Sequence, residues 1–293
     1  MPGWRNFSRL ICDRKVNEGD LSPEIGDGSL FLGESVERFN EEKETIEELG
    51  RKDFRLIQSR NGFRFGEDTV LLSWFVSNQA RLRPHDRLRV LELGANCGAA
   101  SILLAARRTD MQIDAVERRS DAESILKRNI LLNGLSDRMR SECIDLRDLP
   151  STLFSKNHYD VVFMNPPFRK TGSGPMTQAQ IHSEALLEAR FALHGECSDF
   201  ISCAGKMLSS KGDMFLVDRP EELPDVMKSC FENKLAPKKL TMVHPYQDRP
   251  ATLFLLQAKK GGSLAGMTIT PPLILRDQEG NYTEELRRIY EEE

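Results

Sequence analysis

Short apolar runs that each stop at a glycine, an acid or a proline, with helical patterns between them, restrict this chain more than any other feature. Leu88–Leu93 (LRVLEL) ends at Gly94, as a buried parallel strand would, and Ala99–Arg107 (AASILLAAR) follows as a helix. Gln112–Glu117 (QIDAVE) is a second strand, and Ser120–Asn133 a second helix with Ser120 as N-cap and Glu123 three residues later. Arg140–Ile144 gives a third strand, and Tyr159–Met164 (YDVVFM) a fourth, rich in strand-forming residues. Residues 178–209 read as helical, Asp213–Val217 as a fifth strand, and Glu221–Asn233 as a helix entered through Pro220. Two apolar runs, Lys239–Val243 and Thr252–Ala258, then follow without an intervening helix and suggest an antiparallel edge hairpin. The expected fold is therefore α/β: a doubly wound, mainly parallel sheet that binds ligands beyond the carboxyl ends of its strands.

The N-terminal part lacks this alternation. Residues 1 to about 30 mix Gly, Pro and charge (SPEIGDGS) and read as a poorly ordered extension. Glu34–Glu48 is dense in Glu, with Val36, Phe39 and Ile46 as its main apolar residues, and reads as a solvated helix. The expected organisation is an extension over residues 1–50 and one α/β domain over 51–293. No apolar run approaches the roughly 18 residues of a membrane span. The start lacks a secretory apolar stretch. Its arginines could mimic a mitochondrial presequence, but Asp13, Glu18 and Asp20 follow at once. A cytoplasmic, membrane-free protein is expected. The net charge of −4 argues against coating nucleic acid through global charge, while leaving room for a local basic face. None of the six cysteines forms a CxxC pair and no His cluster accompanies them, so reduced thiols and no metal are expected. Cys97 reads as a small packing residue.

Gly94–Gly98, Glu117, Asp145 and Asn165 all fall at strand ends on one rim. Glycine between the first strand and helix permits a tight turn and close approach of a ligand to main-chain N–H groups. Asn96 stands where a dinucleotide fingerprint needs its middle glycine, and its side chain would crowd a pyrophosphate. A cofactor without phosphates fits better. Glu117, about twenty residues on, can accept hydrogen bonds from both ribose hydroxyls of an adenosyl group. Arg118 and Arg119 could instead make it a surface ion-pair member. Asp145 is placed to receive an adenine amino group, with Asp148 as a rival.

Asn165-Pro166-Pro167-Phe168 is the most specific motif. Two prolines end the strand and stiffen the backbone. The Asn165 amide oxygen and the Pro166 carbonyl can accept both hydrogens of an exocyclic NH2 group. Drawn toward tetrahedral geometry, that nitrogen aims its lone pair at an electrophilic methyl without a general base in the first step. Phe168 offers a flat surface for stacking a base, worth about 1–3 kcal/mol. Arg169 and Lys170 begin a glycine-rich basic loop (through Pro175) that could close over a nucleotide or serve as a plain connection. Upstream, Arg51, Lys52, Arg55, Arg60 and Arg64 surround Phe54, Phe63 and Phe65. That pattern suits single-stranded RNA, or the aromatics are core. Arg81, Arg83, Arg87 and Arg89 add a second basic stretch, which could be contiguous with the first.

FGEDTVLLSWF (65–75), LELGANCGAAS (91–101), DAVERRSDAESILKRNILLNG (114–134) and DVVFMNPPF (160–168) resemble methyltransferases acting on planar nitrogens. PPLILRDQEGNYTEELRRIY (271–290) resembles the end of the bacterial enzymes that methylate N6 of the adenine following the anticodon of valine tRNA. The resemblance runs from about Asp53 to Tyr290. It implies a Rossmann-like class I methyltransferase fold, S-adenosylmethionine as cofactor and tRNA as partner. The implied catalytic set is Asn165, Pro166, Pro167 and Phe168. The implied cofactor set is Asp68, Glu92, Gly94, Ala95, Asn96, Gly98, Glu117, Arg118, Asp145, Leu146 and Asn165. Phe168, Arg169, Lys170, Arg60 and Arg64 would hold the substrate. Asn96 replaces a usual glycine, and Phe168 stands where tyrosine is frequent. Families sharing the motif include guanine-N2 rRNA methyltransferases and glutamine-amide methyltransferases, so the motif defines the nucleophile type. A non-catalytic RNA-binding relative is the alternative from another class, opposed by the intact Asn165–Phe168.

Overall fold

A computed structural model of the chain describes residues 39–51, 53–62, 64–81, 87–151, 158–167 and 197–291. The expectations for residues 1–30, for Phe63, Lys52 and Arg83, and for the helix over 178–196 lie outside these residues. So do those for Phe168, Arg169 and Lys170.

The sheet forms where the apolar runs predict it. Strands β3 (Leu88–Leu93), β4 (Met111–Glu117), β5 (Met139–Cys143), β6 (Tyr159–Met164) and β7 (Leu208–Asp218) are mutually parallel. Helices α2 (Ala99–Arg107), α3 (Ser120–Leu132) and α4 (Cys197–Met207) provide connections. Helix α4 is followed directly by β7 from Leu208, so the helical pattern stops short of residue 209. After α5 (Leu223–Glu232), β8 (Leu235–Tyr246) and β9 (Leu253–Lys260) make the expected antiparallel pair. The short strands β10 (Thr268–Ile269) and β11 (Leu273–Arg276) then join β8 in parallel, so the tail extends the sheet past that hairpin. The order is β10-β8-β9-β7-β6-β3-β4-β5, with β11 also on β8. From β3 the chain winds outward to β4 and β5, then returns to β6 on the other flank. The switch point between β3 and β6 is where a doubly wound sheet opens a crevice.

Both faces of the sheet are covered, which explains the nearly continuous apolar strands. Val161, Phe163, Phe215 and Val217 point into one core with α2 and the helix α1 (Glu67–Gln79). Val162, Met164, Met214 and Leu216 point into the other, under α4 and α5. The C-terminal helix α6 (Glu284–Glu291) adds Leu286 and Ile289 to the first core. The Arg51 and Arg107 guanidinium groups both donate to the Ile289 carbonyl. Among the described residues no helix is long and apolar enough to cross a membrane.

Two sequence expectations fail for identifiable reasons. Glu44–Glu48 is not helical but strand β1, paired antiparallel with β2 (Arg55–Ser59). Glu44 is turned inward, where the buried Arg128 guanidinium donates to both its carboxylate oxygens. An ion pair from α3 therefore buries a residue whose local sequence reads as solvated. Ser120 is the first residue of α3, not its cap; Arg119 holds the cap position without a side-chain hydrogen bond. Glu123 is buried and accepts from the Ser141 hydroxyl at 2.6 Å instead of closing a capping box.

Helix α3 also carries the device that docks the hairpin. Asn129, fully buried, accepts from the Ile57 N–H at 2.6 Å and donates to the Ile57 carbonyl at 2.9 Å. Asn133 repeats the pattern at Arg55, at 2.8 and 2.7 Å. The match is geometric: four helical residues rise about 6 Å, and two strand residues span about 6.6 Å. The Asn129 amide donates as well to the Cys97 carbonyl at 2.9 Å, so one side chain ties the hairpin to the turn after β3. Asn129→Ala strands these backbone groups without partners. We expect a loss of about 3 kcal/mol in urea unfolding, and a loss below about 0.5 kcal/mol would contradict this role.

Candidate active site

The turn from β3 into α2 is built from left-handed residues. Gly94, Asn96 and Gly98 have φ of 72°, 49° and 84°. Asparagine is one of the few side chains that tolerates this region, which explains how it replaces a glycine here. A Cβ on Gly94 would lie 2.9 Å from the Phe200 ring, and one on Gly98 would run into Leu126. The glycines thus serve packing as well as turning. The N–H groups of Gly94 and Ala95 both donate to the Val116 carbonyl at 2.9 Å, and that of Asn96 donates to Glu117 Oε2 at 2.9 Å. These three groups are spent on the neighbouring strand, a departure from the sequence expectation that loop N–H groups face a ligand. Cys97 is buried, and burial pushes its thiol up to about 12, as suits a packing residue.

Glu117 is fixed from two sides. Asn96 N–H holds Oε2 and Arg119 N–H holds Oε1 at 2.9 Å. Each carboxylate oxygen has a further lone pair for a ligand hydroxyl. The Arg119 side chain turns to Asp121 and leaves Glu117 to the rim. Glu92 lies behind the turn: it is 4% exposed and accepts from the Ser101 hydroxyl. Asp145 follows β5, and Arg147 holds it through Nε at 2.9 Å and through its own N–H at 2.9 Å. This pairing keeps the Asp145 carboxyl below its ordinary value, and the nearby Arg118 charge contributes. The rival Asp148 is exposed. Leu146 packs toward the second core and shares a cleft with Ser202 and Cys203 of α4.

Asn165 ends β6 directly beside the β3 turn, since Leu93 pairs with Met164. Its Nδ2 donates to Asp68 Oδ2 at 3.1 Å and reaches Thr69 Oγ1 at 3.4 Å, both in the first turn of α1. Pro166 is buried and Pro167 half-buried. The rim therefore brings together the Gly94–Gly98 turn, Glu117, Asp68 and Asn165.

The basic residues separate. Ser59 and Gly62 border Asn96 and Cys97, so the segment after β2 flanks the Gly94–Gly98 turn. Arg60, on that segment, is exposed with Nε donating to the Glu41 carbonyl at 3.0 Å, and Arg64 pairs with Glu47. Phe54 and Phe65 pack against the first core, not in a stacking platform. Arg87 and Arg89 sit at the opposite end of β3, with Arg89 about 16 Å from Gly94 at about 3.3 Å per residue. They do not form one face with the rim.

Sequence reasoning missed Thr69, Ser101 and Phe200. Thr69 adjoins Asp68 in GEDTV, a cue that was present; Ser101 and Phe200 carry no local signal beyond their helices.

Glu92 generates a pH-dependent expectation. Burial, then repulsion from Glu117, raises its carboxyl from 4.5 to about 8. The folded chain holds the proton and the unfolded chain releases it near 4.5. The penalty is absent below about 4.5 and grows as pH rises toward 8. Glu92→Gln should therefore gain stability on the wild type between pH 5 and 8, by up to about 1.4 kcal/mol per pH unit. A difference in unfolding free energy that is flat with pH would refute the assignment.

Comparison with known proteins agrees with this geometry. Residues 69–196 match the family model described as the methyltransferase small domain. A tRNA1(Val) (adenine(37)-N6)-methyltransferase from Christiangramia forsetii is 25% identical over 245 residues, covering 82% of this chain and 95% of the relative. One of the same name from Yersinia pseudotuberculosis is 28% identical over 242 residues, covering 80% and 86%. Among solved structures, a predicted O-methyltransferase from Agrobacterium tumefaciens superposes with a TM-score of 0.59 at 23% identity, covering 76% of this chain and 95% of the other. A putative transferase from Pyrococcus horikoshii gives 0.51 at 14%, covering 76% and 74%. The sheet order and the glycine turn at the switch point agree with the Rossmann-like fold of these structures, and residues 69–196 are similar to the methyltransferase small domain.

Proposed function

We propose that the chain transfers a methyl group from S-adenosylmethionine to the exocyclic N6 of an adenine in tRNA, the adenine 3′ of the anticodon of valine tRNA. The observation that carries the reading is the adjacency of two strand ends: the Asn165-Pro166 end of β6 beside the Gly94–Gly98 turn and Glu117. The relatives named for this reaction match four-fifths of the chain.

The residues present fit the cofactor. Glu117 offers two oxygens to ribose hydroxyls, each already oriented by a backbone N–H. Gly94, Ala95 and Asn96 have no N–H left for a pyrophosphate, which disfavours a dinucleotide. Asp145 and the cleft beside Leu146 suit the adenine ring. When bound, S-adenosylmethionine supplies an electrophilic methyl on a sulfonium. Asn165 Oδ1 and the Pro166 carbonyl hold the two amine hydrogens, so the nitrogen lone pair faces that methyl. With the cofactor bound, its methyl would pass to that nitrogen with the thioether as leaving group, and the amine held by Asn165 and Pro166 would shed one proton to solvent.

Incubation with labelled S-adenosylmethionine and separate pools of unmodified tRNA, rRNA and protein, followed by nucleoside mass spectrometry, tests this. N6-methyladenosine in tRNA is the expected product; N2-methylguanosine in rRNA, or no transfer to any pool, would overturn the reading. Asn165→Ala should abolish most transfer while cofactor affinity stays nearly unchanged. Glu117→Ala should weaken cofactor binding by roughly 1–3 kcal/mol, measured by calorimetry.

A further inference from the structure

We infer that Asp68, with Thr69, is a positioning residue that sets which edge of the Asn165 amide faces the amine to be methylated. The inference rests on the methyl-transfer reading above and gives Asp68 a role distinct from the cofactor contact that family resemblance implies. A carboxylate oxygen only accepts hydrogen bonds, whereas an amide has one edge that accepts and one that donates. Asp68 Oδ2, 3.1 Å from Asn165, must therefore meet the NH2 edge. The amide oxygen is left pointing away from α1, and among the described residues no donor engages it. Turned the other way, Asn165 would present N–H groups to an NH2 group and repel the substrate it should hold.

Asp68 is itself held. Its Oδ1 accepts from the Thr69 N–H at 2.8 Å, and the carboxylate sits in the first turn of α1, where free N–H groups favour an acid. Asp68 is 9% exposed and Thr69 5%, so water competes weakly for these bonds. The Thr69 hydroxyl, 3.4 Å from Asn165 Nδ2 and 3.4 Å from Asp68 Oδ1, can accept from the former while donating to the latter. One carboxylate thereby orients one amide across 97 residues of sequence.

The isosteric Asp68→Asn is the informative variant. Its single amide oxygen is claimed by the Thr69 N–H, so its NH2 faces Asn165 and turns that amide over. Asp68→Asn and Asp68→Ala should each lower kcat on tRNA by on the order of 100-fold, with the Kd for S-adenosylmethionine within about threefold of wild type. Thr69→Val should lower kcat less, and Thr69→Ser should restore it. Unchanged kcat in Asp68→Asn, or a loss wholly explained by weaker cofactor binding, would overturn the inference. An independent arm needs no turnover. The Asn165 side-chain amide signals in a 15N-labelled sample, assigned by their disappearance in Asn165→Ala, should shift strongly in Asp68→Asn. If they do not move, the inference fails even for an active enzyme. If they move but wild type methylates no RNA, the orientation stands and the proposed function falls.

Discussion

The register of β3 against β6 is the constraint on which the site depends. Leu93 pairs with Met164, and Met164 points into the core under α4, so Asn165 must point to the opposite face, toward α1. A slip of one residue would reverse every side chain of β6. It would bury Asn165 under α4 and bring Met164 toward Asp68. Four consecutive apolar residues, Val161 to Met164, are fully or almost fully buried between the two cores, so the packing that stabilises the sheet also selects the face of the amide. Function and fold share one register.

Polar side chains do a second task that apolar packing cannot. The hairpin β1–β2 gives Leu56, and Leu49 beside it, to the first core, and polar groups then tie it to α3: Asn129, Asn133 at the helix end, and Arg128 paired with Glu44. Where buried, as at Asn129 and Arg128, these groups are worth much because an unmade bond leaves a polar group desolvated. Asn129 reaches the Cys97 carbonyl as well, so the hairpin, the helix and the Gly94–Gly98 turn form one connected unit. The left-handed Asn96 is held in that unit by Glu117, which spends one acceptor site on each of two backbone N–H groups.

The strands were legible because each is a local apolar run: Leu88–Leu93 and Tyr159–Met164 form with the boundaries their sequences imply. The rim was legible for the same reason, since strand ends are marked by Gly94, Glu117 and Asn165. What sequence did not disclose depends on distant partners. Glu44 reads as solvated until Arg128, 84 residues away, is seen to bury it. Asp68 carries no sign of Asn165, 97 residues on. Arg87 and Arg89 adjoin the site's first strand in sequence, yet strand direction carries them to the far end of the sheet. Phe54 and Phe65 interleave with arginines as an RNA platform would, and the core takes them instead.

Glu92 and Glu117 show how one sheet end gives two acids different tasks. Both close a strand of the switch region, one residue before its turn or at it. Glu92 lies inside, where burial and the neighbouring Glu117 keep it protonated to about pH 8, with Ser101 as its hydrogen-bond donor among the described residues. Glu117 lies at the rim with a backbone N–H on each oxygen. Two ionised carboxyls so close would repel each other and the turn would loosen. Keeping the inner one neutral removes that repulsion and leaves the outer one in a rigid frame. The inner acid then acts as a hydrogen-bond acceptor that fastens α2, through Ser101, to the strand from which the turn departs.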